Sequence, residues 1–529
     1  MRDKICADER TCLYLYNMLC REQRNHTFSD SLITMESSSF SSSLFSSPFA
    51  ILLTTLVTIG VLKVIAYLYH QHRYWKKRDV PQIRAIPSMK MGWKMLLRHI
   101  SFTEFNLFIY NHVSDAKYIG LWDMATPLVL LRDPELIKDV MVKDFEHFPD
   151  HKGFASEEVD PLFASKMKVM FELVSKCSYE FAEYLADHPE LCSSIDTKES
   201  FRRYTTDVIA TSAFGISVNS MKDRDNEFFI RGLEISKFSG FKATLKFIFL
   251  RACPRLAKVL GLSFFSPATS QFFKKIVAET IRVREEQSIV RPDMIHLLMR
   301  ARDKEGPSMH EMTLDDIVAQ ALIFFLAGFD TSATLMCFVV HELAVHRDIQ
   351  DRLWEEIEAH FADGNGEITY EAMSKMVYMD MVVSEALRKY PPVVFIDRLC
   401  AKKYELPPAK PGYKSVVVER DCMTWTPVYA LHHDPKYFPN PSKFNPERFS
   451  NENKDKIVPY TYLPFGLGPR KCIGNRFALM ETKLLLAYLL HRFIFKTTEK
   501  TVDPIVFDKK QFTLQPDGGF WIALEKRQK

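Results

Sequence analysis

A loop near the carboxyl end of the chain combines residue types that can bind a metal or act as a nucleophile. The segment Phe465 to Gly474 reads F-G-L-G-P-R-K-C-I-G, in which two glycines and a proline favour a tight turn ahead of Cys472. An apolar helical pattern, Asn475 to Phe493, follows at once. The helix N-terminus and the nearby Arg470 and Lys471 favour a thiolate over a thiol. The loop is therefore either a ligand loop or a glycine-rich turn that contains a buried cysteine.

A second unusual segment, A-G-F-D-T-S, spans Ala327 to Ser332. It lies inside a long helical pattern that begins at a capping box, Thr313 to Asp316, and continues to about His346. Glycine, aspartate and threonine are poor choices for the middle of a helix, so we expect the helix to bend or open there. The alternative is an ordinary bond from a threonine side chain to its own helix backbone.

A third motif pairs a carboxylate with a guanidinium. Glu385 and Arg388 are three residues apart on one face of an apolar helix that Pro391 and Pro392 terminate. Such a pair is weak evidence by itself, because surface pairs of this form are common. A segment N-P-E-R-F, which contains Arg448, follows it and precedes the cysteine loop.

In this order the three motifs resemble those of the cytochrome P450 superfamily: A-G-x-D-T, then E-x-x-R with P-E-R-F, then F-x-x-G-x-R-x-C-x-G. The resemblance extends over nearly everything after Pro81, and it is greatest to microsomal members, especially insect detoxification enzymes. It implies a mainly α fold with small peripheral β-sheets. It also implies haem b with the Cys472 thiolate as the axial ligand of iron, which favours O–O cleavage.

The resemblance also implies roles for individual residues. Asp330 and Thr331 would relay protons during oxygen activation. Glu385, Arg388 and Arg448 would form a buried ion network with a structural role only. The residues expected to bind the cofactor are Phe465 beneath the sulfur, Arg470 and Arg398 at the propionates, Gly474, Ala327 and Gly328. The residues expected to line a substrate cavity, from their positions relative to the motifs, are Phe324, Phe325, Phe329, Val393, Val394 and Phe395.

The implied reaction is the oxidation of apolar small molecules, including xenobiotics, with O2. Electrons would come from NADPH through a separate flavoprotein reductase, because the sequence has no G-x-G-x-x-G dinucleotide fingerprint. An alternative is a haem-thiolate isomerase that rearranges peroxides. Such enzymes tend to lack the threonine that is present here as Thr331.

One departure from the family pattern motivates a third alternative. Members carry a helix with a W-x-x-x-R pair that binds the haem propionates. This sequence has no tryptophan between Trp122 and Trp354 and no arginine between Arg132 and Arg202. We therefore predict that this helix and its flanks are deleted around Phe163 to Lys166. The alternative is thus a truncated, haem-poor and inactive product.

Periodicity predicts the elements that must position these residues. Helical patterns dominate and include Glu180 to Leu185, Phe201 to Phe214 and Ser270 to Gln287. Strand-like runs are short and lie near Tyr118 to Leu131, Val393 to Cys400, Ser415 to Glu419 and in the last twenty residues.

The amino-terminal part predicts a membrane anchor. Residues 48–69 are apolar apart from Lys63, and as a helix of 1.5 Å rise they would span about 33 Å. The basic flank behind them predicts a single-pass anchor in the endoplasmic reticulum membrane, with the catalytic domain in the cytosol. Residues 1–47 would be an extension, with Met35 as a possible natural start. Residues 70–99 would form the flank and a proline-containing linker, and residues 100–529 the catalytic domain.

Composition excludes other classes of protein. With 47% hydrophobic residues and a net charge of +4, the chain can fill a large core and has no basic stripe for nucleic acid. The cysteines have no zinc-type spacing and fit a reducing compartment. Two apparent metal motifs are rejected. The stretch Asp363 to Glu367 lacks the glycine that a calcium loop requires, and His432-His433-Asp434 is interpreted as a structural turn.

Overall fold

The computed structural model describes residues 48–83, 85–123, 126–151, 167–236, 241–262, 266–291, 293–304, 313–364, 366–511 and 513–528. The possible start at Met35 and the predicted junction at Phe163 to Lys166 lie outside these residues. By its contacts the chain divides into two units, Met1–Tyr67 and Leu68–Lys529.

Helices make up most of the described chain, as predicted. The helices of the first half are α1 (Pro48–Lys77), α2 (Ala85–Leu96), α3 (Phe102–Asn111), α4 (Pro134–Lys138), α5 (Met167–Asp187), α6 (Pro189–Cys192), α7 (Thr197–Ile209), α8 (Glu227–Ser236), α9 (Phe241–Ala252) and α10 (Pro254–Val259). Those of the second half are α11 (Pro267–Gln287), α12 (Met294–Lys304), α13 (Leu314–Val345), α14 (Arg347–Asp363), α15 (Tyr370–Lys375), α16 (Val377–Lys389), α17 (Val428–His432) and α18 (Asn475–Arg492).

The long helix α13 forms the centre of the core. It begins at the predicted capping box, where Thr313 accepts from the backbone N–H of Asp316 and the Asp316 carboxylate accepts from that of Thr313. From Ser332 to Leu343 every side chain is buried. The helix packs against α7, α11, α16 and α18, so its motif segment is held by neighbours on several sides.

The described residues form three small sheets, in agreement with the prediction of small β-sheets. Their strands are β1 (Tyr118–Asp123), β2 (Thr126–Leu131), β3 (Ile195–Asp196), β4 (Ile396–Leu399), β5 (Tyr404–Leu406), β6 (Val416–Val418), β7 (Met423–Thr426), β8 (Phe493–Lys496) and β9 (Trp521–Lys526). The largest sheet has the order β1-β2-β7-β4, with β2 and β7 parallel and the other pairs antiparallel. The other sheets are β3-β9-β8 and β5-β6.

The larger unit begins before the boundary that the sequence suggested at residue 100. Trp75 is 1% exposed, and its indole N–H donates to the carbonyl of Leu121 over 2.8 Å. A β-carbon at Gly120 would overlap the Trp75 ring, so the glycine allows this close contact. The last turns of α1 therefore belong to the same packed body as the first sheet.

Among the described residues, one helix, Leu314–Val345, meets the length and composition criteria for a membrane span. It is α13, and 61% of its apolar window is buried inside the protein. A core helix of a large domain has the same properties. In the smaller unit, α1 exposes a series of large apolar side chains: Ile51, Leu52, Leu56, Val57, Ile59, Val61, Leu62, Val64, Ile65 and Tyr67.

Candidate active site

The loop ahead of α18 presents Cys472 as an exposed side chain. The backbone N–H of Cys472 donates to the carbonyl of Phe465 over 2.8 Å and closes the loop. Gly466 and Gly468 have φ angles of 75° and 72°, in the left-handed region that favours glycine. At Gly468 a β-carbon would also overlap the carbonyl of Met141. The loop conformation that positions the thiol thus requires glycine at both positions.

The middle of α13 has one open face. Ala327 is exposed, and Thr331, four residues later on the same face, is half-buried. Thr331 Oγ1 donates to the carbonyl of Ala327 over 2.5 Å, which is the side-chain bond considered as an alternative from the sequence. At Gly328 a β-carbon would come within 3.0 Å of Ile209 in α7, so this glycine lets the two helices approach closely. The backbone remains α-helical throughout the segment.

Two cationic side chains of α7 hold Asp330. Lys198 Nζ lies 2.9 Å and Arg202 Nη2 lies 2.7 Å from Asp330 Oδ1. Lys198 also donates to the hydroxyl of Thr334. Burial disfavours the charged form of Asp330, but the two positive charges outweigh it and lower the pKa of this carboxyl below its ordinary value. Asp330 is therefore a carboxylate whose position depends on α7.

Glu385, Arg388 and Arg448 come together as the sequence predicts. Arg388 Nε and Nη2 each lie 2.8 Å from a Glu385 carboxylate oxygen, and both residues are fully buried. Arg448 Nε lies 3.4 Å from Glu385 Oε1, which also accepts from the backbone N–H of Asn445 over 2.9 Å. A buried ion pair is tolerated when its remaining hydrogen-bonding groups are satisfied. These contacts join α16 to the segment that precedes the cysteine loop.

Arg398 in β4 is a buried cation with open donors. It is 1% exposed, and its Nη1 donates to the carbonyl of Asp397 over 2.7 Å and lies 3.2 Å from Nε2 of His151. Its Nε and Nη2 atoms have no hydrogen-bond partner among the described residues. Burial lowers the pKa of Arg398 to about 10. Because leaving such donors unpaired is costly, this geometry favours an acidic group at the site.

Comparison with known proteins agrees with this arrangement. The sequence model of the cytochrome P450 family matches residues 159–523, which is more than half of the chain. The chain belongs to the cytochrome P450 family. Its enzyme class is therefore that of the P450 monooxygenases, which use haem with cysteine thiolate ligation and O2.

Curated relatives place this P450 among insect members. It is 44% identical to cytochrome P450 9e2 of Blattella germanica, covering 89% of this chain and 97% of the relative. It is 39% identical to probable cytochrome P450 9f2 of Drosophila melanogaster (82% and 91% covered) and 35% identical to cytochrome P450 6k1 of Blattella germanica (89% and 97% covered).

The first of these alignments leaves many positions of the relative unmatched. It has 524 positions but includes only 89% of the 529 residues of this chain, so about fifty positions of the relative have no counterpart here. The same calculation for cytochrome P450 6k1, with 514 positions, leaves more than forty. Each of these two relatives therefore has more than forty residues, in one or in several places, that have no counterpart in this chain.

The described residues fit a haem that carries two carboxylates. Cys472 offers a soft sulfur ligand on a loop of defined shape, and Arg398 offers two open donors in a buried setting. Arg470 is half-buried, and its Nε donates to the carbonyl of Pro149 over 2.7 Å. Its Nη2 lies 3.9 Å from Asp150. Phe465 packs against the main core, and Gly474 caps the N-terminus of α18.

Three of the six predicted cavity residues are buried in the core. Phe325 and Phe329 are fully buried and stack on each other, with ring centroids 5.3 Å apart, in an aromatic cluster formed with α8 and α11. They lie on the side of α13 opposite Ala327, because a helix turns about 100° per residue. Val394 is 5% exposed and faces the core as well.

The other three predicted cavity residues remain accessible. Val393 is 48% exposed, and Phe324 and Phe395 are half-buried. Phe324 lies three residues before Ala327, on the open side of α13. The alternation of Val393 and Phe395 with the buried Val394 is the pattern of an extended segment with one covered face.

Three residues in or beside the site, Lys198, Arg202 and Glu481, were not predicted from the sequence. Lys198 and Arg202 are four residues apart, and this spacing on a helix was the available signal for a shared partner. Glu481 in α18 gave no such signal. It is fully buried beside Ser332, and burial raises its pKa to about 8.

Proposed function

We propose that Cys472 is the axial ligand of haem in a membrane-bound monooxygenase that oxidises apolar small molecules. The observation that carries the proposal is the exposed Cys472 thiol on a loop whose two glycines adopt left-handed conformations. Haem, when bound, supplies the redox chemistry that inserts one oxygen atom of O2 into the substrate and reduces the other to water. The protein supplies the ligand, the cavity and the protons.

Arg398 and Arg470 are proposed to hold the haem carboxylates. The two open donors of Arg398 can form a bidentate contact with one carboxylate. Arg470 lies in the same region, with its Nε bonded to the carbonyl of Pro149, and as a guanidinium it can form a charge-assisted contact with the other carboxylate. Phe465, Gly474, Ala327 and Gly328 would provide close contact without competing polar groups.

Thr331 and Asp330 are proposed to handle protons. The Thr331 hydroxyl donates to the carbonyl of Ala327, so its oxygen lone pairs remain able to accept a hydrogen bond from water. Asp330 is held as a carboxylate by α7 and can exchange a proton with water that reaches Thr331. A positioned carboxylate and a hydroxyl of this kind are suited to holding and passing on protons from water in a site that excludes bulk solvent.

The substrate is proposed to be apolar, with xenobiotics as the class. Phe324, Val393 and Phe395 offer accessible apolar side chains near the open face of α13 and after Pro392. Electrons would come from NADPH through a flavoprotein reductase. The resemblance to insect detoxification enzymes supports both parts of this proposal.

The protein is proposed to lie in the endoplasmic reticulum membrane as a single-pass protein with a cytosolic catalytic domain. Between Ile51 and Tyr67, α1 exposes large apolar side chains over a length that could cross a bilayer. Four basic residues follow: Arg73, Lys76, Lys77 and Arg78. A basic flank of this kind is retained on the cytosolic side.

A second candidate is a haem-poor product that lacks the family's W-x-x-x-R helix. Two findings support this candidate. About fifty positions of cytochrome P450 9e2 have no counterpart in this chain, and the match to the family model begins only at residue 159. The helix would normally contribute an arginine and a tryptophan to the propionates. Without it, one haem carboxylate would depend on fewer donors, and haem affinity would fall.

The carbon monoxide difference spectrum of reduced, carbonate-washed membranes tests these proposals. We expect a thiolate-type Soret band in the membrane fraction, reduced in amount if the missing helix matters. Cys472→Ala should abolish that band, whereas Cys253→Ala, at another exposed cysteine, should leave it intact. A thiolate-type band in Cys472→Ala would refute the ligand assignment. A thiolate-type band that appears in the carbonate wash and not in the washed membranes would refute the anchor.

A further inference from the structure

His432, at the end of α17, contacts both Arg388 in α16 and the segment just before the cysteine loop. These two parts of the site are separate motifs in the sequence. It is fully buried, and both of its ring nitrogens have partners. Nδ1 lies 3.1 Å from the carbonyl of Arg388, and Nε2 lies 2.9 Å from the backbone N–H of Leu463. The sequence analysis interpreted this histidine as part of a turn.

These partners define the protonation state of the ring. Nε2 can accept the Leu463 N–H only through a lone pair, so the single ring proton must be on Nδ1, where it is donated to the Arg388 carbonyl. Burial, followed by the nearby His433 and Arg388, keeps the pKa of His432 well below its ordinary value. The ring is therefore neutral and has one tautomer.

The bond to Leu463 continues into the cysteine loop. The carbonyl of Leu463 accepts from the N–H of Gly466 over 3.2 Å, which forms the turn in which Gly466 has a positive φ. Phe465, within this turn, accepts the N–H of Cys472. A continuous path of hydrogen bonds and short backbone turns thus leads from the His432 ring to Cys472.

On its other side, His432 is held by the Glu385–Arg388 pair. Arg388 Nη1 donates to the carbonyl of His432 over 3.0 Å, so the two residues exchange hydrogen bonds. The ring also stacks on Tyr462, with centroids 5.4 Å apart. Tyr462 in turn donates to the carbonyl of Ser384, next to Glu385. The ring has little freedom to move without disturbing α16.

We propose that His432 is a positioning residue that fastens the Cys472 loop to the buried Glu385–Arg388 pair. This inference rests on the proposed function, in which Cys472 is the iron ligand. The ion pair would then have a role beyond stability, because it would determine through His432 where the turn before the ligand lies. The residue itself touches neither cofactor nor substrate.

Two substitutions separate the bonds of His432. In His432→Gln the side-chain amide can still accept the Leu463 N–H, whereas in His432→Asn the shorter amide can reach the Arg388 carbonyl but not Leu463. His433→Ala is the matched control. This neighbour bonds within its own turn, to the carbonyl of Tyr429 over 2.8 Å, and stacks on the Tyr429 ring.

The first readout is amide hydrogen exchange in the full chain, which does not require haem. We expect exchange in the segment from Leu463 to Cys472 to be about tenfold faster in His432→Asn, with His432→Gln and His433→Ala close to the parent. The reference is the β1–β2 pair, whose exchange should not change. Unchanged exchange at Leu463 in His432→Asn would overturn the proposal. Equal acceleration in β1–β2, in both His432 variants, would also overturn it, since the effect would then be global unfolding.

The second readout is the share of the reduced carbonyl complex that has the thiolate-type band. We expect this share to fall at least twofold in His432→Asn and to be largely retained in His432→Gln. An unchanged share in His432→Asn would show that the loop holds the ligand without His432. A separate experiment tests the proposed function. If a thiolate-type band persists in Cys472→Ala, the ligand assignment is wrong, whatever the hydrogen exchange of the His432 variants shows.

Discussion

At the scale of single residues, the surroundings of Thr331, Asp330 and Glu481 give them different chemistry. Thr331 lies on the open face of α13 with its hydroxyl engaged to its own helix. Asp330, the preceding residue, points about 100° away and is held as a carboxylate by two cations. Glu481 is buried and has no charged partner among the described residues, so its protonated form is favoured. These three side chains lie on two helices that pack together, yet one is a hydroxyl, one an ionised carboxylate and one a carboxyl whose protonated form is favoured.

Removing the Thr331 hydroxyl should uncouple oxygen consumption from product formation. Thr331→Ala should still consume NADPH but release hydrogen peroxide in place of much of the product, because proton delivery loses its positioned hydroxyl. Thr331→Ser, which keeps the hydroxyl, should stay close to the parent. The measurement is the ratio of product to NADPH oxidised. Equal ratios in all three proteins would remove Thr331 from the proton path.

Glu481 should make stability depend on pH. Burial raises the pKa of its carboxyl from 4.5 to about 8, so the folded state binds this proton more tightly than the unfolded state does. The resulting stability is fully present below about pH 4.5 and is lost as the pH rises through about 8, by about 1.4 kcal/mol per pH unit in between. Glu481→Gln cannot ionise and should lose this dependence.

Melting temperatures between pH 5 and pH 9 would check this prediction. The parent should become less stable than Glu481→Gln toward pH 9, and the two should converge or cross toward pH 5. Glu452→Gln, at an exposed glutamate, is the control and should follow the parent. Parallel curves for the parent and Glu481→Gln would show that the carboxyl is ionised in the folded protein.

At the scale of elements, the contact between α7 and α13 determines the geometry of the motif segment. Lys198 and Arg202 bind Asp330, and Thr205 donates to the carbonyl of Phe329 over 2.9 Å. Gly328 allows the close approach that these bonds require. The motif A-G-x-D-T is therefore shaped by α7 as much as by its own helix.

Breaking this contact should destabilise the protein. Lys198 is 6% exposed, and Lys198→Met would leave the buried Asp330 with Arg202 alone, at a cost on the order of 2 to 3 kcal/mol. Adding Asp330→Asn removes the charge left behind, so the double variant should lose less than the sum of the single variants. Thermal unfolding measures all three.

Lys176→Met on α5 is the control for this cycle, since Lys176 forms an exposed pair with Glu180 at 3.8 Å. An exposed pair contributes little, so this variant should differ from the parent by less than about 0.5 kcal/mol. Strict additivity of the Lys198 and Asp330 effects would contradict a direct interaction.

At the scale of the whole molecule, the predicted deletion of the W-x-x-x-R helix would affect the proposed cofactor site. The fold retains the cysteine loop, the Glu385–Arg388 pair and the core helix α13, which are set by packing within the carboxyl-terminal two thirds of the chain. Arg398 retains open donors for one carboxylate. Each haem carboxylate in a water-excluding site must be paired or bear a desolvation penalty of several kcal/mol.

We therefore expect the chain as it stands to incorporate haem weakly and to turn over slowly. Inserting a family-type helix with its W-x-x-x-R pair between Phe163 and Ser165 should raise the haem content and the melting temperature. The same insertion with alanine at the tryptophan and arginine is the control, and it should recover less haem. The ratio of haem to protein measures the effect. Full occupancy in the chain without an insertion would show that other side chains bind the propionates.

The amino-acid sequence by itself determined the family and the main elements, and it predicted which cysteine would be the ligand. Local chemistry accounts for this success. Gly466 and Gly468 are required for left-handed turns, Thr313 and Asp316 form a capping box, and the spacing of Glu385 and Arg388 places them on one face of a helix. Each of these features depends on neighbours within a few residues, so the order of residue types is sufficient to predict it.

Only the tertiary structure decided which distant groups meet. Lys198 and Asp330 are 132 residues apart, and nothing local to either one specifies the other. The same is true of His432 and Leu463. Phe325 and Phe329 were placed in the cavity from their closeness to the motif, but the packing of α8 and α11 turns them into the core. Apolar side chains suit a cavity and a core equally well, and only the arrangement of neighbouring helices distinguishes the two.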